Sequence, residues 1–290
     1  MRPSIGCALV IALAGPVAAE PAECRRLAVV LAGLTGFAVT APPAGPEDGW
    51  CVFDRGVLKA QGPPDLAVER LRLKGEWVDS VLVALVLEAS GLRVAPGLPQ
   101  SYLDPVLRET LRLQTAEVTA TVRVGPEGLA LRDARLRLTG GTEVKVEVDI
   151  GGAGFAAGSL LAGRLTFARI DWRNDGKFLQ PVMQAWGEDL VDGATGEAWV
   201  GAARLALRQL AGNLPVSLFP GDGLDRLEAV IDALPQGRGR LVLEFRSPEG
   251  IGMAEVGIAA LSGDPLGPEA LARLFAGAEV MLDWQPGLAP

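Results

Sequence analysis

The sequence predicts an α+β fold, in which an antiparallel, curved β-meander sheet carries several short helices packed mainly in the C-terminal half. Two observations lead to this prediction. Residues 115–150 alternate between polar and apolar side chains in three runs that are separated by glycine-containing turns. Beyond residue 158, apolar residues recur at helical spacing in several segments. Strands come first along the chain and helices later, which is typical of antiparallel α+β proteins.

Before residue 115, the sequence predicts two strands and a third element that could be a helix or a strand. Residues 50–59 and 66–73 are strand candidates, and the turn Gly62-Pro63-Pro64 separates them. Residues 80–89 fit a helix or a strand. The N-terminal part is therefore expected to extend the sheet.

The clearest prediction is a three-stranded meander in the middle of the chain. Its strands are residues 115–124, 129–138 and 144–150, with a bulge expected around Asp133-Ala134. Each strand places polar side chains on one face and apolar side chains on the other. The meander is therefore expected to have one wet face and one covered face.

The C-terminal half follows a glycine-rich joint at residues 151–158 and predicts both strands and helices. The predicted strands are residues 161–172, 241–246, 251–261 and 279–284, and a short helix is predicted at residues 268–275. Three more helices have these apolar faces, in chain order: Phe178, Leu179, Val182, Met183 and Trp186; Ala198, Ala202, Leu205, Ala206 and Leu210; Leu224, Leu227, Val230, Ile231 and Leu234. Pro181 suits the first of them only within its first turn.

The first nineteen residues are predicted to be a cleaved secretory signal peptide. Arg2 supplies a basic start, residues 5–14 form an apolar run, and cleavage is expected between Ala19 and Glu20. A retained anchor is the alternative, but the run is shorter than the roughly 20 apolar residues that span a bilayer. We therefore expect a periplasmic protein whose mature chain has no transmembrane segment.

The mature chain divides by its predicted secondary structure into a β-rich part, residues 20–152, and a part with both strands and helices, residues 153–290. Its length of 290 − 19 = 271 residues suits one large domain or two small ones. We expect the two parts to share one continuous core. The oligomeric state is left open by the sequence.

The net charge of the chain limits its possible partners, and its cysteine content indicates its redox state. Removing Arg2 leaves 26 basic and 35 acidic residues, a net charge of about −9, which repels nucleic acid at long range. Cys7 leaves with the signal, so Cys24 and Cys51 remain in an oxidising compartment and are predicted to form a disulfide. Two buried free thiols and a redox pair are the alternatives.

The chain contains no histidine, which removes Ser-His-Asp and Cys-His nucleophile pairs and the common zinc ligand sets. One acidic cluster, Asp171, Asn174, Asp175 and Gly176 in the stretch DWRNDG, fails the spacing of a calcium loop. It predicts a turn between a strand and a helix, with Asn or Asp as the cap. We assign no catalytic, cofactor-binding or metal-binding residue, and we expect no cofactor and no enzymatic activity.

Two parts of the chain resemble a group of periplasmic proteins from alphaproteobacteria that are loosely related to the AsmA-like and YdgA-like envelope proteins. The resemblance rests on residues 103–152, which contain the meander, and on residues 165–189 and 224–256, where a strand, the DWRNDG turn, a helix and a later strand follow one another. It implies an envelope-associated, β-rich protein. Better-known AsmA-like relatives are linked to lipid transfer or outer-membrane homeostasis, and no functional residue carries over.

Three hypotheses of function remain open. In the first, the apolar face of a curved sheet is a groove that binds a lipid or another hydrophobic ligand. In the second, the same face is a core under the helices of a structural or protein-binding envelope component. In the third, paired carboxylates hydrolyse a glycan. Six tryptophans could line a groove or fill a core: Trp50, Trp77, Trp172, Trp186, Trp199 and Trp284.

Overall fold

The computed structural model of the chain describes residues 21–60, 65–94, 109–110, 112–156, 158–176, 179–191, 195–235, 237–261 and 267–287. The predicted signal segment with its cleavage site, the predicted turn at residues 62–64 and the predicted helix residue Phe178 lie outside the described residues. Within the described ranges, no helix combines the length and the apolar character needed to cross a membrane.

The described strands form one antiparallel sheet of eleven strands. In chain order they are β1 (Ala38–Val39), β2 (Gly45–Glu47), β3 (Trp50–Lys59), β4 (Leu66–Val78), β5 (Val81–Val94), β6 (Ala116–Gly125), β7 (Gly128–Leu138), β8 (Glu143–Gly151), β9 (Arg164–Asn174), β10 (Gly239–Gly252) and β11 (Glu279–Pro286). From β3 to β11 each strand pairs with the next one along the chain, and both β1 and β2 pair with β3.

The described helices lie mostly after the meander. They are α1 (Pro21–Thr35), α2 (Ser159–Ala162), α3 (Leu179–Leu190), α4 (Glu197–Gly212), a 3-10 turn (Val216–Leu218), α5 (Gly223–Ala233), α6 (Met253–Leu261) and α7 (Pro268–Leu274). Together with the meander order of the strands, this arrangement confirms the predicted α+β class.

The predicted meander is confirmed as β6, β7 and β8, and so is its bulge. The pairing of β7 shifts between Leu131 and Ala134, and Asp133 adopts a left-handed backbone with φ of 52°. The guanidinium of Arg132 donates hydrogen bonds to the carbonyl oxygens of Leu131 and Val148, at 3.0 and 3.1 Å. Arg132 therefore provides donors for carbonyls beside the interrupted ladder.

Several element predictions are wrong or incomplete. Residues 253–261 form α6 and not a strand, because a short apolar run does not distinguish the two. Residues 161–162 belong to α2, so the strand that was predicted from residue 161 begins at Arg164. Residues 81–94 form a strand, so the segment at residues 80–89, for which the sequence allowed a helix or a strand, belongs to a strand from residue 81. Pro181 lies in the first turn of α3, as its side chain requires.

Helix α1 packs on β3, β4 and β5 and is tied to them by the predicted disulfide. The sulfur atoms of Cys24 and Cys51 are 2.03 Å apart and both residues are buried. Leu27 and Leu31 follow Cys24 at helical spacing and are buried on the same face of α1. The indole Nε1 of Trp77 on β4 donates a 2.7 Å hydrogen bond to Glu23 on α1.

The C-terminal core lies at the opposite end of the sheet. Phe245 on β10 and Val280 and Leu282 on β11 are buried with Leu218 and Phe219 of the 3-10 turn segment. Arg226 on α5 donates a 3.0 Å hydrogen bond to the carbonyl oxygen of Leu282, so part of the backbone of this edge strand is satisfied. A side chain that covers an edge carbonyl limits pairing with a further strand.

Helices α3 and α4 form a hairpin, and its packing corrects the predicted apolar face of α4. The residues buried on α4 are Val200, Ala203 and Ala211, whereas the predicted Leu205 and Leu210 are about half exposed. Gly187 determines which face of α4 is buried, because a Cβ atom there would lie 2.0 Å from the carbonyl oxygen of Trp199. The close approach turns the Val200 face of α4 toward α3.

Candidate functional site

One face of the sheet is apolar on every strand from β3 to β11. Directly paired residues form a single row across nine strands: Phe53, Leu71, Ala89, Val118, Leu136, Val144, Trp172, Leu241 and Trp284. Paired residues of an antiparallel ladder point to the same face. The bulges therefore preserve a continuous apolar surface rather than interrupting it.

The two ends of this row are covered by different elements. On β3, β4 and β5 the apolar residues are buried in the core under α1, where Phe53 and Leu71 are almost fully enclosed. On β10 and β11 they are buried with the 3-10 turn and α5, as for Phe245 and Leu282. The middle of the sheet lies between these two cores.

The middle strands carry apolar side chains that belong to neither core. We call Ala120, Leu136, Val144, Val146, Ile170 and Trp172 the central apolar strip. None of the six is part of the clusters of buried apolar residues identified among the described residues. All six are partly accessible, and Ile170 is 36% exposed. Strands β6 to β9 place the strip over a width of about 14 Å.

The strip ends differently at its two short sides. At the side of the β6–β7 turn, Leu129, Ile150 and Ala153 are buried with Leu160 of α2 and Met253 of α6. That side is closed by apolar packing. The strip is therefore bounded by apolar cores on two long sides and on one short side.

The other short side is polar and contains the predicted DWRNDG turn. The hydroxyl of Thr142 donates a 3.0 Å hydrogen bond to the Asp175 carboxylate, and Asn174 donates from Nδ2 to the carbonyl oxygen of Gly237 at 2.8 Å. The backbone N–H of Gly176 donates to Asn174 Oδ1 at 3.2 Å. Asn174 and Asp175 are thus buried in a turn that ends β9 and is held by these hydrogen bonds.

Asp171, the fourth member of the predicted acidic cluster, points to the opposite face of the sheet. Its carboxylate accepts two 2.8 Å hydrogen bonds from Arg240, and these bonds lower the pKa of Asp171. The charges of Arg240, Arg173 and Lys145 act in the same direction, while partial burial opposes them. The sequence cluster therefore divides between two faces. Among the described residues, no group of three or more acidic or cysteine side chains is arranged to hold a metal ion.

The six tryptophans serve different parts of the fold. Trp172 lies on the central apolar strip, and Trp77 packs beside α1 with the Arg26 guanidinium 4.7 Å from its ring centre. Trp50 lies under Arg72, at 4.3 Å, and Trp186 packs in the α3–α4 hairpin. Trp199 lies on α4 beside Gly187, and Trp284 on β11 lies in the same apolar row as Trp172, two strands away. The tryptophans therefore do not all gather in one groove, and Trp172 is the one that belongs to the strip.

Carboxylates do line one shallow cleft on the polar face, of about 510 Å³. Glu47, Asp48, Glu88 and Glu117 border it. Glu47 is hydrogen-bonded to Arg70, and Glu88 accepts a 2.9 Å hydrogen bond from Arg72. A glycosidase needs one carboxyl group as a proton donor and a second as a base or nucleophile. Three of these four carboxylates are instead engaged in ion pairs with arginine, since Glu117 also lies 3.7 Å from Arg137.

Comparison with known proteins gives no family. No protein-family model matches the chain, and no curated protein matches it. The resemblance to AsmA-like and YdgA-like proteins therefore stays a prediction.

Proposed function

We propose that the protein is a non-enzymatic periplasmic envelope protein that binds a lipid or another hydrophobic ligand on the central apolar strip. The observation that carries the proposal is the strip itself, a partly accessible apolar surface between two enclosed cores, with Ile170 as its most exposed member. Each 100 Å² of apolar surface that a ligand removes from water contributes about 2.5 kcal/mol.

The chemistry of the strip favours a ligand with a long apolar body. Val144, Val146 and Ile170 carry no polar atoms in their side chains, and Trp172 adds a large flat ring. The strip is bounded by packed apolar residues at one short side and by the polar Thr142 and Asp175 at the other. Thr142 and Asp175 are buried and hydrogen-bonded to each other, so the strip offers a ligand mainly apolar contacts along its length.

Native mass spectrometry of protein gently purified from a periplasmic extract tests the proposal. We expect a bound lipid in the wild-type protein. We expect Val146→Glu, which places a charge in the middle of the strip, to lose it. The matched control is Val29→Glu on α1, where the side chain is 71% exposed, and it should retain the lipid. An empty wild-type protein, or equal occupancy in the two variants, would contradict the proposal.

A second candidate is a protein-binding envelope component, and the α3–α4 hairpin favours it. Four large apolar side chains of the hairpin region are exposed: Leu190, Val191, Leu205 and Leu210. A photo-crosslinking residue at position 205 would yield a defined protein adduct in the envelope if this candidate is right, whereas the same residue at the exposed position 29 would not. Equal labelling from both positions would argue against a docking site.

A further inference from the structure

The polar face of the sheet, opposite the central apolar strip, carries a dense group of arginines on β7 to β10. We call these six residues the arginine cluster: Arg135, Arg137, Arg169, Arg173, Arg240 and Arg246. Their side chains are 32–61% exposed. Three of their carboxylate partners, Glu143, Asp171 and Glu244, are only 13–14% exposed, whereas Glu117, which pairs with Arg137, is 67% exposed. These three carboxylates are thus mostly covered, and the guanidinium groups of the arginines are exposed to solvent.

Glu143 shows how incompletely these arginines are satisfied. Arg135 Nε lies 3.0 Å from this carboxylate, but Arg137 and Arg173 approach it only to 3.9 Å, and the other carboxylate near Arg137, that of Glu117, is 3.7 Å away. A 3.9 Å contact is an ion pair and not a hydrogen bond. Arg173 Nε is buried without a hydrogen-bond partner. Because each guanidinium carries five N–H donors, three arginines around one carboxylate keep many donors for an external anion.

The register of the strands adds a second observation. Lys145 lies directly opposite Arg135 on β7 and Asp171 on β9, and Arg173 lies directly opposite Arg240 on β10 and Glu143 on β8. Like charges in directly opposed positions destabilise a sheet. Lys145 forms no ion pair within the part of the chain that the structure describes. Asp171 and Glu143 offset part of the repulsion in the Lys145–Arg135 and Arg173–Arg240 pairs, and an anion that binds across these pairs would relieve the rest.

The local charge is opposite in sign to that of the whole chain. Strands β7 to β10 contain nine basic and seven acidic residues, 9 − 7 = +2, whereas the chain carries −8. Fields of distant charges are screened beyond about 10 Å at 0.1 M salt. At contact distance, the local positive surface therefore decides which partner this face attracts.

The shape of the surface favours a planar partner. The six arginines line neither the cleft of about 710 Å³ beside Arg132 and Asp149 nor the cleft of about 510 Å³ beside Glu88 and Glu117. With strands about 4.8 Å apart, the cluster is spread over about 14 Å of sheet. Separate cations on a flat face match a layer of separate anions. We propose that the arginine cluster docks the protein on an anionic membrane surface by binding the phosphate groups of lipid headgroups.

Vesicle binding tests this inference independently of the lipid site on the opposite face. The probes are vesicles of equal parts phosphatidylglycerol and phosphatidylcholine, and vesicles of phosphatidylcholine alone. We expect binding only to the anionic vesicles, weakened by added salt. A basic residue near an anionic surface strengthens binding by about fivefold, so Arg137→Gln with Arg173→Gln should weaken it about 25-fold and Lys145→Gln about fivefold.

The control removes the same charge elsewhere. Arg25→Gln with Arg208→Gln alters two arginines on helices α1 and α4 and should change binding less than twofold. Binding to both vesicle types, or equal loss in the control and in the cluster variants, would overturn the inference. So would displacement from the vesicles by inorganic phosphate beyond the effect of chloride at matched ionic strength, because free phosphate would then be the ligand. Binding of an acidic peptide without binding of vesicles would also overturn it.

Discussion

Reduction of the Cys24–Cys51 bond should destabilise the fold by loosening α1 from the sheet. The two cysteines are 27 residues apart in the sequence, and closing a loop of that length contributes about 3.5 kcal/mol in the chain-entropy description. The packing of Leu27 and Leu31 does not need the bond, so the reduced protein should still fold. For a protein of this size, the loss corresponds to a fall in Tm of about 7 °C.

The assay is equilibrium unfolding in urea, followed by tryptophan fluorescence with and without reductant. Reductant should lower the unfolding free energy of the wild-type protein by about 3.5 kcal/mol. It should leave the double variant Cys24→Ala with Cys51→Ala unchanged, which separates the bond from other effects of the reductant. Identical unfolding midpoints for the oxidised and reduced wild-type protein would refute the reasoning.

Two further predictions concern the hairpin and the polar face. Gly187→Ala should destabilise the protein by about 3 kcal/mol, because its Cβ would meet the carbonyl of Trp199. Gly201 has open space around it, so Gly201→Ala should stabilise α4 by about 0.5–1 kcal/mol. Thermal unfolding of both variants checks this, and equal shifts in Tm would contradict it. Arg240 lowers the pKa of Asp171, so their pair stabilises the fold above the unfolded pKa of about 3.9 and loses this effect as pH falls through the lower folded pKa. Arg240→Gln should therefore cost about 1 kcal/mol at neutral pH and nothing once Asp171 is protonated; a cost that is independent of pH in urea unfolding would show that the ion pair is not the cause.

The sequence was most informative where one physical signal dominated. Strict alternation predicts β6, β7 and β8, because a strand with one wet face and one covered face must place its side chains with a period of two. Pro181 and the end of the third predicted helix before Pro235 were also placed correctly, since proline restricts where a helix can begin and end.

The sequence was least informative where packing between distant elements decides the outcome. Helix α1 follows the predicted signal segment directly and was not predicted. The exposed Leu205 shows the same limit, because the close contact of Gly187 with Trp199 selects the other face of α4. The disulfide could be predicted from the number of cysteines and the predicted compartment alone.

The candidate surfaces depend on strand register, which the sequence did not provide. Trp172 reaches the central apolar strip because it pairs with Val144 across two strands that lie next to each other. Arg137 and Arg173 meet over Glu143 only in the same register. Bulges shift the pairing by one residue or more, so neither grouping follows from the spacing of residues along the chain.

Quenching of Trp172 by a bromine-labelled fatty acid requires close contact with the ring, so it tests most directly the proposal that a ligand binds on the central apolar strip. We expect the fatty acid to quench part of the wild-type fluorescence, and Trp172→Phe to lose that part. Trp186→Phe, which alters the α3–α4 hairpin, should quench like the wild-type protein. Equal quenching in both variants would contradict a ligand on the strip.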